Sequence, residues 1–329
     1  MTYKIDAKDM KILKELDSNA DITIRQLARN VRMSHQVVEY RIKKMMEDKI
    51  ISDITSWIDM GKIGYLFFRV HFRFKSITKE KRDEFENYIF SNKKCFYMST
   101  LSGKWDSYID IFAKSPLDFE KQIEEITNEF QKDIQDYETL LVSRLYVFNY
   151  KYLFEQSERS PIREFVMFES FSEEKIDDID RKILKILAKN SRKPYLQIAN
   201  DVGLSRSSVK ERIKKMHERK IILKNRMNLN FNALGKNSFK VFFKIRGNVE
   251  EKKKLINYAR MNKNIIFVLE IMGPYQLDFE IQIESMEKLQ DLLIEIRNNF
   301  PIIHDYEILS LLKDTGTDYY PIEKGEYAK

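Results

Sequence analysis

The sequence holds a single cysteine, Cys95, in 329 residues. One thiol excludes an internal disulfide framework and a metal site built from cysteines. No run of about 18 apolar residues occurs, so no transmembrane helix is expected. The opening residues, MTYKIDAKDMKIL, are charged throughout and do not read as a secretory leader. Gly-rich phosphate loops, nucleophile–base motifs and metal-ligand spacings are missing too, which removes the common catalytic constellations. The expectation is a cytoplasmic protein without metal or cofactor, and not an enzyme.

What is present is length enough for two or more domains. Of the residues 43% are hydrophobic, enough to fill real cores, and the net charge is +7. That charge is unevenly spread. Residues 1–59 hold 11 Lys+Arg against 10 Asp+Glu, whereas residues 172–231 hold 16 against 8. Positive charge gathered in one short segment is the footprint of a phosphate-binding surface.

The chain repeats itself at a shift of 171. Residues 5–16, IDAKDMKILKEL, align with 176–187, IDDIDRKILKIL, with eight of 12 positions identical. Residues 34–51, SHQVVEYRIKKMMEDKII, align with 205–222, SRSSVKERIKKMHERKII, with 11 of 18 identical. Gly64 falls on Gly235, and after one-residue drifts Gly103 falls on Gly273 and Asp136 on Asp305. A duplicated unit of about 150 residues follows.

Each unit opens with three short helices. Ile5, Ile12, Leu13 and Leu16 line one face of the first. Thr23 with Gln26 reads as a capping box opening a second that carries Leu27 and Ala28. Ser34 and Ser205 are N-caps of a third, whose buried face is Val38, Ile42 and Met45 in one copy and Val209, Ile213 and Met216 in the other. At the turn before it the second copy has Gly203, which reaches the left-handed region cheaply. The first has Arg32, so that position is either not left-handed or mildly strained. The rest of each unit alternates strands and helices. Phe68, Val70, Phe72 and Phe74 alternate with Arg69, His71, Arg73 and Lys75, which predicts a strand with one buried face and His71 on a polar one. The matching strand holds Phe239, Val241, Phe243 and Ile245. Helices are expected at about 78–91 and 116–131, and again at 249–262 and 285–299. Strands flank Gly103 and Gly273, and last strands are expected at about 137–148 and 306–312. This βαββαβ order is ferredoxin-like.

The fold class is therefore α+β: two repeats of a winged or three-helix helix-turn-helix followed by a ferredoxin-like βαββαβ domain. The expected domains are 1–59 and 60–154, a linker at 155–175, then 176–230 and 231–329. Within the linker, Ser160-Pro161 marks a tether. Phe165, Met167, Phe168 and Phe171 are too apolar for one, so part of it should pack.

This arrangement resembles the Lrp/AsnC (leucine-responsive/asparagine-operon) family of prokaryotic transcription regulators. The opening I-D-x-x-D-x-x-I-L carries the resemblance, at Ile5, Asp6, Asp9, Ile12 and Leu13 and at Ile176, Asp177, Asp180, Ile183 and Leu184. So do V-G-L-S-x-S-x-V-x-x-R-I-K at Val202–Lys214 and the Lys-Ile-Ile exit. The resemblance covers nearly the whole chain, twice. Family members usually carry one unit per chain and self-associate through their βαββαβ domains, which implies an intrachain pseudo-dimer here, or larger assemblies, bound to double-stranded DNA at the nucleoid.

A recognition helix presents its N-terminal residues to base edges in the major groove. The first copy offers His35, Gln36, Glu39 and Tyr40, and the second Arg206, Ser207, Lys210 and Glu211. Gln suits adenine and Arg guanine. Glu39 and Glu211 either accept from cytosine or repel phosphate. Lys43, Lys44, Lys214 and Lys215 are placed for phosphates, as are Arg192 and Lys193. Arg41 and Arg212 are expected to pair with Asp9 and Asp180 rather than touch DNA. The second head should dominate affinity. Two differing heads imply an imperfect palindrome, with half-sites about one helical turn, ~34–36 Å, apart.

The resemblance also implies an effector site, often for amino acids, at a G-x-x-D loop. Gly103-Lys104-Trp105-Asp106 matches it, with Gly103, Trp105 and Asp106 as candidate contacts. Gly273 is the candidate contact of the second copy, which lacks the Asp. The alternative is that both glycines simply allow a hairpin turn. Two rival functions stand beside the regulator. Siroheme decarboxylases resemble this family and use histidines in the sheet domain, but none of the four His (His35, His71, His217, His304) lies near Gly103 or Gly273. The other rival is an interaction module in which the first head has lost DNA binding.

Overall fold

The computed structural model describes residues 5–76, 78–92, 94–154 and 164–321; the Ser160-Pro161 part of the linker lies outside them. The first unit runs α1 (Ala7–Ser18), α2 (Ile24–Val31), α3 (His35–Glu47), β1 (Ile51–Ile58), β2 (Leu66–Phe74), α4 (Lys79–Asn92), β3 (Cys95–Ser102), β4 (Ser107–Ala113), α5 (Pro116–Glu129) and β5 (Ile134–Phe148). A short strand, β6 (Glu164–Met167), follows. The second unit repeats the order as α6 (Asp178–Lys189), α7 (Tyr195–Val202), α8 (Arg206–Glu218), β7 (Ile222–Leu229), β8 (Asn237–Ile245), α9 (Val249–Met261), β9 (Ile265–Met272), β10 (Leu277–Ile283), α10 (Met286–Asn299) and β11 (Ile303–Thr317). No described helix is long and apolar enough to cross a membrane.

The caps explain where the helices begin. Asp6 accepts from the Asp9 backbone N–H at 2.9 Å, and the Asp9 carboxylate accepts from the Asp6 N–H at 3.0 Å. Asp177 and Asp180 do the same at α6. At α2 the expected box is half formed. Thr23 Oγ1 accepts from the Gln26 N–H at 3.2 Å, without a return bond from Gln26 among the described residues.

Each unit's sheet has the ferredoxin-like order, β5-β2-β4-β3 and β11-β8-β10-β9. The two sheets are joined edge to edge at both ends. Strand β5 pairs with β9, from Leu141 opposite Met272 to Val147 opposite Phe267. Strand β11 pairs with β3, from Ser310 opposite Ser102 to Thr317 opposite Tyr97. Eight strands thus close into a ring within one chain. Helices cover its outside: α4 and α5 pack Phe85, Ile89, Ile123 and Ile126 on Val70, Phe72, Ile109 and Ile111, and α9 and α10 pack on Val241, Phe243, Phe279 and Ile281.

Closure corrects one reading of the sequence. The polar face of strand β2 is solvated only at Arg73, because Arg69 and His71 are 2% and 1% exposed. The faces without helices look at each other, so polar side chains there are enclosed and must find partners. Arg69 bonds Asp110 through Nε and Nη2 at 2.7 and 2.8 Å, and reaches Asp278 of the other unit through Nη1. Lys240 bonds Glu280 at 2.9 Å. The last strand, β11, extends well beyond 306–312, because its second half pairs with β3 of the first unit.

Between the heads and the ring lies a two-stranded ribbon, β1 antiparallel to β7. The heads are cross-packed on it. Met227 and Leu229 of β7 belong to the core of the first head, and the Ile54 carbonyl of β1 accepts from the Ser191 N–H of the second at 2.9 Å. Part of the linker does pack. Strand β6 pairs with β5, and Phe168 stacks on Phe67 at 5.4 Å between centroids. Phe171, by contrast, is 57% exposed.

Candidate DNA-binding surface

The sequence positions α3 and α8 by one device used twice. Arg41 Nη1 reaches back to Asp9 at 2.7 Å and Asp6 at 2.9 Å. Arg212 Nη1 reaches Asp180 at 2.8 Å and Asp177 at 2.7 Å. The carboxylates that cap the first helix therefore also clamp the third. The clamp raises the pKa of each guanidinium, chiefly through the bonds to Asp9 and Asp180. Asp9 is fully buried, so breaking this pair leaves a charge without compensation. These arginines serve structure.

The turn into the third helix differs between copies. Gly203 sits at φ 71, ψ 34, and Arg32 at φ 56, ψ 50, so both are left-handed. A side chain at Gly203 would meet nothing within 4 Å. The preference for glycine there is conformational, and Arg32 carries a strain of about 1 kcal/mol.

Beyond the clamp, the outer faces are open to solvent. His35, Gln36, Glu39, Tyr40 and Lys43 are exposed on α3, and Lys44 is half-buried. Arg206, Ser207, Lys210, Glu211, Lys214 and Lys215 are all exposed on α8. Local partners grade them. Lys44 pairs with Asp48 at 3.0 Å, Lys43 with Glu47 at 3.9 Å and His35 with Glu39 at 3.7 Å. Lys215 pairs with Glu211 at 3.3 Å and Lys214 with Glu218 at 3.6 Å. Ser207 Oγ lies 2.9 Å from the N-cap hydroxyl of Ser205. Arg206 and Lys210 have no ion pair among the described residues. The cap of α3 is Asp48, whereas the cap of α8 is Arg219. The cap Arg219 is itself paired with Glu174 at 2.9 Å, so the second surface owes its stronger cationic character to Arg206 and Lys210.

Two cations expected at phosphates are engaged elsewhere. Arg192 donates to the carbonyls of Ile22 at 2.8 Å and Ala20 at 3.4 Å, bracing one head against the other. Burial there lowers its pKa. Lys193 pairs with Asp201. Local sequence gave no signal for this brace, since its acceptors are backbone atoms some 170 positions away.

The loop from Gly103 is a turn closed against the other unit. A Cβ on Gly103 would lie 2.9 Å from Leu309, and one on Gly273 2.9 Å from Leu140. Asp106 accepts from the Phe74 N–H at 2.8 Å, and Gln276 accepts from the Ile245 N–H at 2.9 Å. The carboxylate and the amide make the same strand-bracing bond. Trp105 is buried, with its ring stacked 5.7 Å from that of His71. His71 also meets Phe242 edge-on at 5.1 Å, and burial lowers its pKa.

Against known proteins, an AsnC-type helix-turn-helix domain model matches residues 176–217, and a winged helix-turn-helix DNA-binding model matches residues 5–52. The HTH-type transcriptional regulator FL11 of Pyrococcus furiosus is 33% identical over 121 residues, 36% of this chain and 78% of that one. The regulatory protein AsnC of Haemophilus influenzae is 24% identical over 118 residues, 36% of this chain and 79% of that one. Among solved structures, the siroheme decarboxylase NirDL superposes with a TM-score of 0.65 at 15% identity, covering 96% of this chain and 94% of that one. At that identity the last likeness is one of fold. The two matched heads and the similarity to FL11 place the chain in the Lrp/AsnC family of helix-turn-helix regulators.

Proposed function

We propose that this protein is a sequence-specific DNA-binding transcription regulator whose two fused units act as a pseudo-dimer with unequal heads. One observation carries the reading: two third helices, clamped identically from behind, present solvent-open outer faces, and the second is dominated by cations. Arg206 and Lys210 are the foremost base and phosphate contacts of the second head, and Gln36 and Tyr40 those of the first. Relatives named as transcription regulators support this reading.

Selection of bound duplexes from a random pool, followed by salt titration of the winners, is the test. The expected winner has two dissimilar half-sites centred about one helical turn apart, with affinity falling steeply as salt rises. A pool that shows no enrichment sinks the regulator reading. Strictly symmetric winners sink the claim that the heads read independently. Decarboxylation of a tetrapyrrole is the rival suggested by the NirDL fold. Mixing the protein with haem should leave the haem absorbance unchanged, and a shifted band would reopen that rival.

A further inference from the structure

Strand β6 marks a difference between the two units. In the first, the end of β5 has β9 on one edge and β6 on the other. Leu145 lies opposite both Leu269 and Met167, and Val147 opposite both Phe267 and Phe165. The end of β11 is the same stretch of the second unit, in the alignment that sets Asp305 on Asp136. It has β3 on one edge as far as Thr317, while β8 covers the other edge only as far as Leu311. Among the described residues no strand pairs with that second edge from Leu312 to Thr317. Backbone donors and acceptors along an unpaired edge are a template for another strand.

The surroundings differ in the same sense. At the end of α8, His217 and Lys220 border a space of about 250 Å³ that the linker narrows with Phe165, Val166, Glu169 and Ser170. Their counterparts at the shift of 171, Met46 and Lys49, border a cavity of about 600 Å³ that runs along Leu312, Gly316 and Thr317 and reaches the Trp57 ring. A Cβ on Gly64 would meet Glu173 of the linker at 3.0 Å, whereas one on Gly235 would meet nothing within 4 Å. The rim of this cavity is also the more apolar. Leu312 stands where the first unit has Ser143, and Met46 where the second head has His217, and the two are 56% and 42% exposed. Apolar side chains beside an unpaired edge gain burial from a strand laid along it.

Strand β6 shows what chemistry suits such an edge. Phe165 and Met167 alternate into the core, with Phe165 edge-on to Trp57 at 5.3 Å. Glu169 follows two residues on and borders the same small space as Lys220. In the larger cavity the inner wall is Trp57 with Tyr319 at 5.1 Å and Phe96 at 5.9 Å. Lys49 is exposed and has no ion pair among the described residues. Asp53, on the ribbon nearby, is bonded by the Asn228 amide and feels the charge of Arg226.

We propose that the free edge of β11 takes up an extended segment of a partner protein, antiparallel and one per chain, in which two alternating apolar residues are followed two positions later by an acid that meets Lys49. Backbone pairing supplies the affinity and the alternate side chains the selection. Binding is measured without DNA, so this proposal and the regulator reading can fail separately.

The probe is a synthetic peptide with the linker's own residues 164–170, EFVMFES, labelled with fluorescein and titrated by anisotropy against the full chain. Saturable binding of one peptide per chain is expected. Two peptides methylated on backbone nitrogens test the pairing itself, one at Phe165 and Met167, the other at Val166 and Phe168. Only alternate residues of a strand point their N–H groups at a given neighbour, so one of these peptides should lose about tenfold or more and the other should bind as before. Leu312→Asp, at an exposed position, should weaken the peptide at least about tenfold. Lys49→Glu should weaken it about fivefold, and a peptide with Glu169→Lys should recover that loss. Non-saturable anisotropy overturns the proposal, as do equal affinities of the two methylated peptides or an unchanged affinity in Leu312→Asp. If a chain ending at Pro321 binds and the full chain does not, the edge belongs to the chain's own end and the partner is overturned. A peptide that converts a larger assembly into single chains on size exclusion gives the edge to a second copy, with the same consequence.

Discussion

Asp59 shows how a single buried carboxylate can set a pH dependence. It accepts from the Gly61 N–H at 3.0 Å and the Phe168 N–H at 3.2 Å, tying the returning linker to the turn before β2. Burial nevertheless outweighs these bonds and raises its pKa from 3.8 to about 6. An acid whose folded pKa lies above its unfolded value binds more protons when folded, so stability falls as pH rises from about 4 to about 6 and stays lower above that. A difference of that size corresponds to about 3 kcal/mol. Asp59→Asn retains Oδ1, the atom that accepts both backbone bonds. Chemical denaturation should find the variant more stable than the natural chain above pH 6, with the gain disappearing near pH 4. A gain independent of pH would show that ionisation is not the cause. The pairing of Arg41 and Arg212 with Asp9 and Asp180 was legible in the sequence, because cap and helix recur together in both copies. The enclosure of His71 was not, since polar residues alternating on a strand look solvated until a second sheet covers them.

Among the elements, α3 and α8 share a backbone device and differ in charge. Lys43 and Lys44 each face a carboxylate one turn on, Glu47 and the cap residue Asp48. On α8, Lys210 has no such partner among the described residues, and Lys214 and Lys215 are both exposed, with partners at 3.6 and 3.3 Å. A lysine that gives up no ion pair neutralises phosphate at lower cost. Replacing Lys210, Lys214 and Lys215 with glutamine should weaken DNA binding at low salt and lower the slope of log affinity against log salt by about 2 to 3, at roughly 0.9 per phosphate contact. The same change at Lys43 and Lys44 should have a clearly smaller effect. Equal slopes in the two variants would refute the unequal heads. Strand β11 is the opposite lesson. Its start follows from the repeat, but its length depends on β3, which no local pattern announces.

For the whole molecule, the tether is not what holds the two units together. Strands pair across units at both ends of the ring, the heads are exchanged over the ribbon, and Arg192 braces one head on the other. Residues 1–154 and 164–329, produced as two separate chains in one cell, should therefore elute together as a one-to-one complex on size exclusion. Separate elution would mean that the linker does more than connect.

The sequence alone determined the elements, the duplication and the third-helix faces, because caps, turns and apolar spacing act over a few residues and were written twice. It also showed which head is richer in positive charge. Only the tertiary structure decided that the units close on each other, that Arg69 and His71 of β2 are enclosed, and that Arg192 belongs to a brace. Those outcomes come from contacts between residues roughly 130 to 210 positions apart, where side-chain pattern carries no register and the partner is set by which surfaces remain to be covered.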